Sequence, residues 1–105
     1  MEQNIDWGSL GFGYVPTDYN VRCTYTNGAW GELRVESKPT LEMHISAAVL
    51  HYAQECFEGL KAFRGKDGKV RIFRIEDNGR RMQDSCRGIK MPEFPLDKFK
   101  EAVIK

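Results

Sequence analysis

The tetrapeptide Lys66-Asp67-Gly68-Lys69 constrains this chain most, because it stands between two runs rich in strand-forming residues. Asp-Gly between alternating runs is a strong short-range hairpin signal, since glycine takes positive φ without a steric penalty. Before the turn, Phe57, Gly59, Lys61 and Phe63 alternate with Glu58, Leu60 and Ala62, which predicts a strand over Phe57–Phe63. After it, Val70–Arg74 returns as the paired strand.

A helix is expected next, over Glu76–Ile89. Met82, Cys86 and Ile89 recur at helical spacing and make one apolar stripe. Glu76 and Asp77 lie in the first turn, where the helix dipole favours negative charge, while Gly79 weakens the helix interior. Pro92 and Pro95 bracket a loop, and Leu96, Phe99 and Val103 begin a second helix whose pattern is still running at Lys105. That truncated pattern reads as a piece of something longer. Upstream, Val21–Thr26 reads as a strand, Asn27-Gly28 as a turn and Trp30–Val35 as its partner, ended at Lys38-Pro39. Ile45–Tyr52 predicts a short helical turn, and residues 1–20 read as mostly irregular. The fold class expected is α+β, an antiparallel sheet flanked by helices, in one domain over residues 1–105.

Composition excludes several function classes. A formal net charge of +1, with both signs spread along the chain, lacks the one-sided basic footprint of a nucleic-acid binder. No apolar run reaches the roughly 20 residues of a membrane span, and MEQNIDWGSL lacks the apolar core of a signal peptide. The cytoplasm is the expected compartment. Cys23, Cys56 and Cys86 form no metal-ligand spacing, and His44 and His51 add none, so reduced, packed thiols and no metal site are expected. Gly11-Phe12-Gly13 lacks the third glycine of a dinucleotide loop and runs into Pro16 rather than a helix.

Four strings in fixed order carry more: Leu50-His51-Tyr52, then Phe57-Glu58-Gly59-Leu60-Lys61-Ala62-Phe63, then Arg71-Ile72-Phe73-Arg74, then Arg81-Met82. Together with Phe12-Gly13, Thr17-Asp18 and Trp30-Gly31 upstream, they resemble the N-terminal, small-domain part of the branched-chain amino-acid aminotransferases. The resemblance runs from about Phe12 to Pro92. Related fold-type IV enzymes, D-amino-acid aminotransferase and aminodeoxychorismate lyase, usually carry a different string at Phe57–Lys61.

The resemblance implies a fold-type IV small domain in a homodimer that uses pyridoxal 5′-phosphate (PLP). It implies transfer of the amino group of leucine, isoleucine or valine to 2-oxoglutarate. It also implies that the Schiff-base lysine lies in a larger C-terminal domain outside this sequence, so no catalytic residue is assigned here and the 105 residues alone are expected to be inactive. Arg81 is implied to bind the PLP phosphate, a task suited to a planar, bidentate guanidinium. Phe57 and Phe12 are implied to face the branched side chain of the substrate, Tyr52 to reach the partner subunit's active site, and Lys61 to sit near the substrate end of the pocket. Each has a bland counterpart: core phenylalanine, tethering aromatic, interface tyrosine, exposed lysine, solvated arginine. Arg80 stays with the solvated arginines, His51 with structural histidines, and Glu55 and Glu58 form no catalytic carboxylate pair. Two alternatives stay open: another fold-type IV transaminase or lyase, and a stand-alone, non-catalytic α+β binding module.

Overall fold

The computed structural model describes residues 6–9 and 11–105. Irregular structure expected for residues 1–5 and Leu10 lies outside these. A 3-10 turn forms at Trp7–Ser9, and among the described residues no regular element follows until β1 (Asn20–Arg22). β1 pairs antiparallel with β4 (Arg34–Glu36), with Val21 opposite Val35. Between them β2 (Tyr25–Thr26) pairs with β3 (Ala29–Trp30) around the expected turn, where Asn27 (φ 53°) and Gly28 (φ 81°) are both left-handed. The predicted hairpin thus exists, but as two short ladders. Residues 23–24 face 31–33, an unequal count that interrupts pairing as a bulge does. The Gly31 N–H still donates to the Thr24 carbonyl at 2.8 Å.

α1 (Ala48–Tyr52) is the expected helical turn. The hairpin at Asp67-Gly68 joins β5 (Ala62–Arg64) to β6 (Val70–Ile72), with Phe63 opposite Arg71 and Gly68 at φ 82°. Both strands are shorter than predicted. Arg74 turns left-handed (φ 56°) to start α2 (Ile75–Gly88), so β6 ends at Ile72 and offers no ladder to residues before Ala62. Residues 54–61 are therefore not a strand. They remain extended all the same: residues 54, 56, 58 and 60 are half-buried while 55, 57, 59 and 61 are exposed, a period of two. The fold class is α+β as expected, its antiparallel pairing divided into three two-stranded ribbons.

The core lies where α2 meets α3 (Leu96–Ile104), and its buried apolar side chains are Ile75, Cys86 and Phe99. Gly79 is explained by this crossing. A Cβ at Gly79 would stand 2.4 Å from Leu96 Cδ1 and 3.0 Å from Phe99 Cδ1, so the glycine lets α3 lie against α2. Lys100 and Glu76 add an ion pair between the helices at 2.8 Å. The long hairpin is tied to the loop between these helices and to α3: Trp30 Nε1 donates to the Glu93 carbonyl at 2.8 Å, and its ring meets Phe94 edge-on at 4.8 Å. Lys98 Nζ donates to the Gly31 carbonyl at 3.1 Å.

Burial is sparse for this mass. The chain exposes 8952 Å², against about 6,000 Å² for a compact monomer of 12.1 kDa. Its radius of gyration is 15.7 Å, against about 13 Å for a compact chain of this length. Large apolar side chains stay exposed, among them Phe12, Tyr52, Phe57 and Phe73.

Candidate functional site

Arg81 lies midway along α2 and meets a carboxylate from the extended segment. Its Nε donates to Glu58 Oε2 at 2.8 Å, and its Nη2 donates to Glu58 Oε1. Asn78, one turn earlier on the same helix face, donates to Glu58 Oε1 at 2.9 Å and to the Gly59 carbonyl at 3.1 Å. The two partners are unequally covered. The Glu58 side chain is 5% exposed and that of Arg81 66%, so the carboxylate is held inside while the guanidinium reaches out. The Arg81 hydrogen bonds, opposed by burial and helped by Asn78, lower the Glu58 carboxyl to about 2. Arg81 is correspondingly raised, chiefly by its bond to Glu58.

Beside this pair is a cavity of about 310 Å³ lined by Phe73, Arg74, Asp77, Asn78 and Arg81. The other two arginines nearby are engaged with one carboxylate: Arg74 Nε meets Asp77 Oδ2 at 2.5 Å and Arg80 Nη1 meets Asp77 Oδ1 at 3.3 Å. Arg80 is an exposed helix arginine in a surface pair, as expected. Arg81 differs because its partner comes from a distant segment and leaves much of the guanidinium uncovered.

The remaining expected site residues are not gathered into a pocket by this chain. Phe12, Tyr52 and Phe57 are all strongly exposed, and so is Lys61. Phe57, Gly59 and Lys61 do share the outward row of the extended segment, the row opposite Glu58. His51 is satisfied structurally, its Nε2 hydrogen-bonded to the Ile45 carbonyl. Among the described residues no cluster of His, Cys, Asp and Glu could hold a metal ion, and no helix is long and apolar enough to cross a membrane.

Two residues escaped the sequence reading. Glu58 pairs not with Glu55 but with Arg81, which it anchors. Asn78 is the second hand on that anchor. The signal was present. Glu58 stands in the inward row between Cys56 and Leu60, where a carboxylate needs a cationic or polar partner.

Over 100 residues, 95% of its length, the chain is 42% identical to a branched-chain-amino-acid aminotransferase of Helicobacter pylori. It is 41% identical over 100 residues to the enzyme of the same name from Haemophilus influenzae. Over nearly all of its length the chain is similar to branched-chain-amino-acid aminotransferases. A probable one from Streptomyces coelicolor is 47% identical over 93 residues, 88% of this chain. The chain spans 26–29% of the length of these three relatives. No family profile matches it.

Proposed function

We propose that this chain is the N-terminal small-domain portion of a PLP-dependent branched-chain-amino-acid aminotransferase, and that Arg81 binds the phosphate of the cofactor. The observation that carries the proposal is the open side of Arg81. A guanidinium has five N–H donors, and Glu58 takes two of them along one edge. Among the described residues the other three are unspent, on a side chain 66% exposed beside a cavity. A phosphate oxygen pair fits such a donor set bidentately. When bound, PLP supplies the electron sink that lets an amino group be held between two half-reactions.

The chain's own residues bind and shape. Phe57 and Phe12 present apolar rings for the branched side chain of leucine, isoleucine or valine, whose burial is worth about 1.5–3 kcal/mol. Lys61, on the same outward row as Phe57, meets the substrate's polar end. Tyr52, 85% exposed on α1, has an apolar ring and one hydroxyl to offer a second subunit's site. The lysine that carries the cofactor lies in the longer protein, beyond these residues. The excess of exposed apolar surface supports that larger body, including a homodimer. Three free thiols suit a reducing compartment, in keeping with the cytoplasm.

The test is amino transfer to 2-oxoglutarate by the full-length protein. Leucine, isoleucine and valine should turn over far faster than D-alanine. Faster turnover of D-alanine would place the protein in another fold-type IV subclass and refute the proposal.

A further inference from the structure

The Glu58–Arg81 pair has an orientation that matters for a ligand. The carboxylate lies along the Nε–Nη2 edge of the guanidinium, a side-on grip, because Nε and Nη2 are the two donors used. Both N–H of Nη1 and the second N–H of Nη2 remain, and together they form the other bidentate edge. Glu58 is itself fixed. Asn78 donates to its Oε1, and the side chain is 5% exposed. An exposed arginine on a free stem would sample many rotamers and lose that freedom on binding an anion. Here Glu58, itself held by Asn78, already fixes the guanidinium, which is preorganisation.

We infer that Glu58 is a positioning residue, holding the Nε–Nη2 edge of Arg81 so that its Nη1–Nη2 edge is presented to a phosphate monoester in the cavity lined by Phe73, Arg74, Asp77, Asn78 and Arg81. The inference rests on the proposal that Arg81 is the phosphate ligand. It adds that the carboxylate aids phosphate binding although its charge opposes an anion. Orientation wins over repulsion because the phosphate meets the far edge of the guanidinium, while the carboxylate charge is neutralised by Arg81 and hydrogen-bonded by Asn78.

The experiment measures the affinity of the full-length apo-protein for PLP and for pyridoxal, which lacks the phosphate, in wild type, Glu58→Gln, Glu58→Asp and Arg81→Ala. The ratio of the two dissociation constants isolates the phosphate contribution and is insensitive to general damage to the fold. Arg81→Ala should cut the ratio about a hundredfold. Glu58→Gln replaces one acceptor oxygen by an amide that faces N–H with N–H, and should cut it about tenfold. Glu58→Asp keeps the carboxylate and should recover part of the loss. If Glu58→Gln leaves the ratio unchanged, or raises it, while Arg81→Ala lowers it, Glu58 does not position Arg81 and the inference is overturned. Equal loss for PLP and pyridoxal would make Glu58 a structural residue only, with the same consequence. If Arg81→Ala leaves the ratio unchanged, the phosphate assignment itself falls.

Discussion

Replacing Gly79 by alanine tests how closely α3 crosses α2. In a solvated helix interior the change should stabilise, because alanine exceeds glycine in helix propensity by about 1 kcal/mol. Here the new methyl would meet Leu96 Cδ1 at 2.4 Å and Phe99 Cδ1 at 3.0 Å. The Leu96 methyl ends a half-buried side chain and can swing aside, but the Phe99 ring is buried and has little room. Overpacking of this kind costs about 1–3 kcal/mol. The balance is a net loss of about 1 kcal/mol, which lowers the melting temperature by about 4–8 °C in a domain of this size. Gly88, the last residue of α2, is the internal control, since a Cβ there meets nothing within 4 Å. Gly88→Ala should gain about 0.5 kcal/mol. Thermal and urea melts followed by circular dichroism measure both. Adding Leu96→Ala should make Gly79→Ala less costly than it is alone, a coupling that a double-mutant cycle reads directly. If Gly79→Ala stabilised as much as Gly88→Ala, the crossing described here would be wrong.

Other expectations follow from named groups. Glu58 has a folded carboxyl near 2 against an ordinary 4.5, so its ionised form contributes stability that is fully present above about pH 4.5 and lost as the pH falls towards 2. The stability gap between wild type and Glu58→Gln should therefore be flat above about pH 5 and narrow on acidification, and a gap that widens below pH 4 would reverse the sign. Burial, then the neighbouring Cys56 thiol 3.7 Å away, pushes the Cys86 thiol up. Iodoacetamide at neutral pH should label Cys86 last of the three cysteines, which peptide mapping resolves; early labelling would contradict its burial. The 105-residue chain mixed with PLP should give no absorbance change beyond that of scattered lysines, whereas a saturable band would place a cofactor-carrying lysine within it.

Much of the fold was legible because its signals are local. Asn27-Gly28 and Asp67-Gly68 dictate their turns through glycine's access to positive φ. The spacing of Met82, Cys86 and Ile89 is a property of the helix they lie on. What was not legible depends on neighbours. Phe57–Phe63 alternates as a strand does, but a ladder needs a partner, and Arg74 ends β6 too soon to supply one. Gly79 is a weakness in an isolated helix, and only α3 lying on it gives the residue its purpose. Cys23, Cys56 and Cys86, far apart in sequence, line one cavity of about 270 Å³. At the site, Arg81 was indicated by its place after the Phe57–Phe63 and Arg71–Arg74 strings, but its anchor was not. The inward face of Glu58 could have suggested a cationic partner; only the packing of the extended segment on α2 says which one.

Everything proposed for the site depends on Arg81 being a phosphate ligand rather than a solvated helix arginine. The decisive quantity is the dissociation constant of PLP from the full-length protein, measured for wild type and Arg81→Ala. Loss of two charge-assisted hydrogen bonds, each worth about 1.5–3 kcal/mol, should weaken binding by about a hundredfold or more. An unchanged constant in a folded variant would contradict the claim and return Arg81 to the helix surface.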